Sequence, residues 1–337
     1  MKRSNRNSLI IFGLFILLIL TILLSFRLGR YPISTKELLG ILLSKVYPLK
    51  PFWKKQLETV LFNIRLPRIF LACLVGASLS SAGAAYQGVF QNAMAAPDIL
   101  GASAGATFGA AIAILYDGTS TMITCSAFFF SLLSVGLVYI ISKHTRGANI
   151  LGLILSGIMI SSLFSAATSF VKLVADPTDQ LPAITYWLMG SLSGATRGEV
   201  SFVIVPIAIG LIPLLLLRWR MNVLAMGDDE AQTMGVNAKR IRLVVIIAST
   251  LITAASVSVS GMIGWVGLVI PHLARRLVGS NYRYLMPATL LFGAIFLLMV
   301  DNVSRNLLTT EIPLGILTAV IGAPFFIYLI TRKDDFS

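Results

Sequence analysis

Residues 9–26 read LIIFGLFILLILTILLSF, eighteen consecutive residues without a charge. At 1.5 Å per residue they form a helix of about 27 Å, close to the ~30 Å hydrocarbon thickness of a bilayer. The stretch before it is basic (Lys2, Arg3, Arg6), as in a secretory signal peptide. The apolar run is longer than a signal-peptide core and no small-x-small cleavage site follows it, so it reads as a retained first membrane helix.

The rest of the chain repeats this pattern. Of 337 residues, 56% are hydrophobic and 12% charged, with a mean hydropathy of +0.86. A soluble domain carries about 25% charged residues, so half that share cannot cover a soluble surface. The same figures exclude disorder, collagen and a disulfide scaffold. The composition implies an all-α polytopic membrane protein. Ten spans can be drawn: 9–26, 67–86, 98–115, 120–141, 150–170, 200–217, 241–260, 265–278, 285–303 and 314–331. The eighth is interrupted by Pro271 and His272. These spans leave short loops and no soluble domain, so residues 1–337 read as a single transmembrane domain. Cys73 and Cys125 sit in apolar runs and read as small core residues rather than a disulfide or metal pair.

The net charge is +13. In a soluble chain that would suggest nucleic acid; in a membrane protein it reflects the retention of Lys and Arg on the cytoplasmic side, and no nucleic-acid partner is expected. An even span count puts both termini on one side, and Lys2, Arg3, Arg6, Arg332 and Lys333 make that side cytoplasmic. Loops 142–149, 218–240 and 279–284 on that side are basic as well. The exception is 27–68, placed outside, with nine basic residues against Glu37 and Glu58. Either the flanking helices dictate topology and tolerate the charge, or this is an extracytoplasmic docking surface for an acidic partner. Ten spans divide into two sets of five, and an odd number per half inverts the second half relative to the first.

Catalytic apparatus is missing. His144 and His272 are the only histidines, no paired carboxylates or nucleophile elbow appears, and no phosphate-binding Gly-Lys-Ser/Thr loop exists. Coupling-ion machinery is thin as well. Asp98, beside Pro97, reads as a first-turn capping acid rather than a proton relay. Asp301 lies four residues before Arg305, where a helical ion pair partly neutralises both. The chain reads as a passage without an engine. Small residues at helical spacing, Gly101/Gly105/Gly109 and Gly157/Ser161/Ser165/Ser169, fit close helix packing; a path lined by small side chains is also compatible.

Two segments are more specific. In Arg65-Leu-Pro-Arg68, the proline suits a helix start, but two arginines there oppose the helix dipole and the insertion rule together. Either they anchor lipid headgroups or they meet carboxylates on a partner, for which the planar guanidinium fork is suited. In the 218–240 loop, Asp228, Asp229 and Glu230 start a short helix that Gly235 ends, while Leu224, Met226 and Met234 need a cover. Either a partner's groove covers them or the loop packs on its own bundle.

Taken in order, these residues resemble one family, the permease subunits of ATP-driven importers for iron-siderophore complexes, haem and vitamin B12. The resemblance rests on Arg65-Leu-Pro-Arg68; on Asn92, Pro97, Leu100, Gly101 and Gly105, with Ala93 and Met94 where the family has Pro and Leu; and on Trp187 and Gly190. It continues in Gly264-Trp-Val-Gly267-Leu-Val-Ile-Pro271-His272-Leu-Ala-Arg275, with Trp265 where the family has Phe. Asp301 with Arg305, then Glu311-Ile-Pro313-Leu-Gly315 with Thr318, Ala319, Gly322, Pro324 and Phe326, complete it.

The resemblance implies a type II importer permease fold of ten helices in two inverted halves, in the cytoplasmic membrane of a bacterium. It implies a second permease subunit, identical or not, two cytoplasmic ATPase subunits and an extracytoplasmic substrate-binding protein. Arg65, Arg68 and Arg305 would receive glutamates of the binding protein. The 221–236 loop, with Leu224, Gly227, Asp229, Glu230, Ala231 and Gly235, would couple to the ATPase, and Ala148 and Asn149 would lie at the cytoplasmic gate. The chain itself would hold no cofactor or metal and perform no catalysis, since ATP and magnesium would sit on the partner ATPase. A ferric siderophore is the expected cargo, with haem or cobalamin as alternatives; an ion-coupled secondary transporter is the reading from another class.

Overall fold

Each of the ten apolar runs forms a helix, the third starting at Ala102 rather than at 98. The computed structural model describes residues 2–29, 31–45, 47, 50–144 and 150–331, and among these there is no strand. In chain order the helices are α1 (Lys2–Arg27), α2 (Thr35–Ser44), α3 (Lys55–Thr59), a π-helical turn (Val60–Arg65), α4 (Leu66–Val89), α5 (Ala102–Leu115), α6 (Ser120–His144), α7 (Ile150–Val174) and α8 (Gln180–Leu188). They continue as α9 (Arg197–Leu216), α10 (Arg218–Leu224), α11 (Asp228–Thr233), α12 (Ala238–Ser260), α13 (Val266–Val278), α14 (Tyr282–Asn306) and α15 (Leu314–Thr331).

Among the described residues, seven helices are long and apolar enough to cross a membrane, and α5 and α15 are shorter apolar helices. The short members α5 and α13 have a common cause. Each is the third span of its half, and each is preceded by non-helical chain, 90–101 before α5 and 261–265 before α13. Each starts from a residue with positive φ, Gly101 at 78° and Trp265 at 70°. The first irregular stretch meets the first turn of α13, because a Cβ on Gly267 would lie 2.3 Å from Pro97 Cγ. Matching interruptions at matching positions are what two inverted five-helix halves produce.

The second span of each half forms the centre. The apolar stretch of α4 is 83% buried and that of α12 72%, against 22% for α1. The α4 surface is built from Gly76, Ala77, Ser78, Ser80, Ser81, Ala82, Gly83, Ala84 and Ala85, which let neighbouring backbones approach. Lipid is as apolar as leucine, so close contact rather than water exclusion holds such helices together. A Cβ on Gly76 would stand 2.2 Å from Gly293 O of α14, and one on Gly293 2.3 Å from Gly76 O. Ser80 Oγ donates across the same crossing to Thr289 O at 2.8 Å.

Pro271 explains a second contact. A proline inside a helix leaves the carbonyl four residues earlier without its N–H partner. That carbonyl is Gly267 O, and it faces Gly83, where a Cβ would lie only 1.8 Å away. The Gly83 Cα–H therefore occupies the place of the missing donor, a weak hydrogen bond of a kind common where helices touch.

The expected start of the second span needs correction. Helix does not begin at Pro67 but runs from Lys55 through the π-helical turn into α4. Arg65 and Arg68 therefore do not stand at a free helix N-terminus, and the dipole argument against them lapses. The small-residue stripes divide. Gly105 and Gly109 sit against the Phe130 and Ser126 carbonyls of α6, and Gly157 against Ile99 O. Ser165 and Ser169 are exposed. Asp98 is the capping acid expected, accepting from Ser103 N at 3.0 Å. Cys73 and Cys125 are free thiols.

Candidate functional site

The helices bring motif residues together at opposite ends of the bundle. One end, here the arginine end, holds the α1 and α14 C-termini and the start of α4. Arg68 Nε donates to Asp301 Oδ1 at 2.9 Å, while Nη1 and Nη2 donate to the two Glu311 carboxylate oxygens, both at 2.9 Å. Arg305 Nε lies 3.0 Å from Asp301 Oδ2, the i, i+4 pair its spacing predicts. Arg305 Nη2 donates to Asn302 Oδ1, and Asn302 Nδ2 donates to Ser25 Oγ of α1.

Arg65 takes a different role. Its guanidinium donates to Phe26 O and Tyr31 O, carbonyls at and just beyond the end of α1. A cation is well placed there, where carbonyls lack helical partners. All three arginines are buried, at 3%, 5% and 7% exposure for Arg65, Arg68 and Arg305. The two arginines that broke sequence rules thus have partners inside the chain. Asp301 is fully enclosed, whereas the Glu311 side chain keeps 23% exposure and is the accessible member of the cluster. Exposed cations of this end include Arg27, Lys36, Lys45, Lys50, Lys54, Lys55 and Arg197.

Several motif residues form a joint beside this cluster. Leu314 N and Gly315 N donate to Gly190 O and Met189 O at 2.8 and 3.0 Å, and Ser191 N donates to Ser260 O at 2.8 Å. Gly190 (φ 73°) and Gly261 (φ 66°) meet there, where side chains would strike the Met262 and Trp187 carbonyls. Trp187 also lines a cavity of about 590 Å³ with Asp117, Asp179, Glu199 and Ser258. Farther along, Trp265 contacts Phe326, and His272 contacts Phe325 beside Pro324. Pro313 precedes α15, and Gly264 has open space where a Cβ would be.

The other end, the loop end, carries 218–237. Asn222 Oδ1 accepts from Tyr282 N at 2.7 Å, and Asn222 Nδ2 donates to Asn281 Oδ1 at 3.0 Å. Gln91 Nε2 donates to Leu224 O at 3.2 Å, and Tyr282 Oη donates to Ala84 O at 2.9 Å. Arg275, in the last turn of α13, lies near this hydroxyl. Asn92, just past α4, makes a side-chain turn by accepting from Met94 N at 2.8 Å. The loop is therefore clamped to both α4 and α14. Its short helix α11 runs between Gly227 (φ 135°) and Gly235 (φ 73°). Leu224 and Ala231 point into the chain, at 1% and 0% exposure, so they anchor the loop rather than present it. Asp229, Glu230, Met226 and Met234 face outward.

Ala148 and Asn149, the expected gate positions, lie outside the described residues, as do Arg332 and Lys333. Asn222, Asn281, Tyr282 and Gln91 were not foreseen. Their types carry no signal alone, and only the fold brings residues 60 apart together. Among the described residues no three His, Cys, Asp or Glu side chains are placed to hold a metal ion.

Comparison with known proteins adds the following. The sequence profile of the FecCD transport family matches residues 17–332. The chain is 40% identical over 323 residues to the molybdate import system permease protein MolB of Haemophilus influenzae, covering 96% of this chain and 95% of that one. It is 40% identical over 276 residues to a probable iron chelatin transport system permease protein of Helicobacter pylori, covering 82% and 83%. A solved structure described as an inward-facing conformation of a metal-chelate type ABC transporter superposes with a TM-score of 0.86 at 39% identity, covering 96% and 99%.

Proposed function

The chain belongs to the FecCD transport family and is an ABC importer permease, and from that premise we propose that it carries a ferric siderophore or related iron chelate by alternating access. It pairs with a second permease subunit, and two ATPase subunits bind the loop end, which faces the cytoplasm. An extracytoplasmic binding protein docks at the arginine end. The chain lies in the cytoplasmic membrane with both termini inside, binds no ATP or magnesium and performs no catalysis.

The observation that carries this reading is the loop end. The clamped α10 leads into the short acidic helix α11, which turns Ala231 into the chain and is flanked by Met226 and Met234 at 64% and 51% exposure. Amphipathic helices of this kind fill a partner's groove. At the arginine end, docking does not use free guanidiniums. A partner carboxylate displaces the half-open Glu311 from Arg68, keeping two parallel hydrogen bonds and exchanging one anion for another. The nearby lysines steer the acidic partner in.

Iron-chelate cargo is supported by the Helicobacter pylori relative and by the solved metal-chelate transporter. A second reading, an oxyanion such as molybdate, is favoured by the Haemophilus influenzae relative. The test is to purify the chain with its co-purifying subunits, reconstitute it in liposomes and measure ATP-driven uptake of radioactive ferric siderophores and of molybdate. Ferric-siderophore uptake dependent on ATP and a binding protein is expected. Molybdate uptake alone would replace the cargo, and ion-gradient uptake without any ATPase would overturn the importer mechanism.

A further inference from the structure

A second cavity, of about 620 Å³, opens at the loop end between α6, α7 and α12. Its rim carries Lys143 from the last turn of α6 and Lys239, Arg240 and Arg242 from the first turns of α12. Asp228 is the acid on this rim, and Arg242 already holds it through Nη1 at 3.2 Å and Nη2 at 2.5 Å. Arg242 Nε is buried without a hydrogen-bond partner. Among the described residues no carboxylate pairs with Lys143, Lys239 or Arg240. Among the described residues, positive charge at this rim is therefore in excess.

The walls are different in kind. Tyr139, Leu151, Leu153, Leu243 and Ile246 supply the cavity's apolar lining. Ile246 lies eight residues beyond the start of α12, about 12 Å of helix rise into the bundle. Leu151 is 65% exposed and Tyr139 40%, so the wall opens sideways along α6 and α7. A cleft with cations at its mouth and a sideways-open apolar wall fits one class of ligand, an anion carried on hydrocarbon. A small soluble anion leaves the wall unused, and an acidic protein surface cannot follow it into the hydrocarbon layer.

We propose that this cleft binds an anionic phospholipid, with the headgroup phosphate held by Lys143, Lys239, Arg240 and Arg242 Nε and one acyl chain along Leu151, Leu153 and Ile246. Basic pockets between membrane helices at the cytoplasmic surface take such headgroups. The bound phosphate faces the Arg242–Asp228 pair, so the lipid braces the first residue of α11. The binding itself does not depend on the transport reading, which fixes only the leaflet.

The test is native mass spectrometry of the full chain released from nanodiscs holding equal phosphatidylglycerol and phosphatidylcholine. The wild type is expected to retain one phosphatidylglycerol per chain, at least fivefold over phosphatidylcholine. A Lys143→Gln/Lys239→Gln/Arg240→Gln variant should lose that preference. An equal-charge control, Arg6→Gln/Arg220→Gln/Arg283→Gln, should keep it. Leu151→Asp, which leaves the cations in place, should lower retention as well. Retention unchanged in the triple variant, or shared by both lipids in the wild type, overturns the site. Wild-type retention abolished by millimolar inorganic phosphate but indifferent to Leu151→Asp would make it a free-anion site and overturn the lipid assignment. Because the comparison of the two lipids uses the wild type, it decides even if the variants misfold.

Discussion

Asn222 accepts the first backbone N–H of α14, from Tyr282, at 2.7 Å, so the 218–237 loop holds the beginning of a helix whose other end carries Asp301 and Arg305. The same side chain reaches Asn281, and Gln91 ties the loop to the end of α4. Any displacement of the loop is thereby passed to two helices that meet again at the Arg68–Asp301 pair.

Asn222→Ala tests this link. Losing two hydrogen bonds of about 1 kcal/mol each weakens the clamp about thirtyfold. Substrate uptake in proteoliposomes should fall by about that factor while the ATPase stays bound and its basal hydrolysis continues. Unchanged uptake would show that the clamp does not transmit motion.

Asp301→Asn should cost far more than Glu311→Gln. Asp301 is enclosed between Arg68 and Arg305, and removing its charge leaves two buried guanidiniums facing each other, a loss of about 3–5 kcal/mol. Glu311 is partly exposed, so water takes over part of its role. Thermal unfolding in detergent, followed by size-exclusion fluorescence, should rank the wild type first, Glu311→Gln next and Asp301→Asn last. Equal shifts for the two variants would contradict the assigned burial.

Gly83→Ala and Gly76→Ala should each destabilise by at least the ~1–3 kcal/mol of overpacking, since the added methyl meets backbone that cannot move aside. Gly13→Ala, which meets nothing within 4 Å, is the control and should leave the unfolding temperature unchanged or slightly raised.

Acid should loosen α2. Glu37 closes a capping box with Ser34, and the Ser34 hydroxyl and backbone N–H hold its carboxyl below the usual carboxylate range. A depressed value means the stabilisation is complete above the ordinary carboxylate pKa of about 4.3 and is lost as pH falls through the lower folded value. Hydrogen exchange of 35–44 should accelerate below that range more than exchange of α12. Glu37→Gln should remove most of this pH dependence, since an uncharged amide still accepts the cap bonds.

The ten spans were legible because hydrocarbon thickness forces long uncharged runs, and no tertiary context can shorten a run such as 9–26. Helices α2, α8 and α10 were not, because they are short and half-buried, and nothing in their composition separates them from loop. Asp301–Arg305 could be read from helical spacing, whereas Arg68–Asp301 spans 233 positions and exists only after α4 meets α14. The continuity of Lys55–Val89 was hidden by the π-helical turn, which carries the helix past the point where Pro67 suggests a start. Leu224 looked like a residue in search of a cover, and the cover is the chain's own core.

The backbone contact of Gly76 with Gly293 has an evolutionary consequence. Where two main chains touch, the alphabet shrinks to one letter at each site, and descendants of this chain can hardly vary there. Lys36, Lys50, Lys54 and Lys55 carry no such constraint, since their side chains are exposed. Lineages can therefore vary those surface charges by drift while inheriting the frame unaltered.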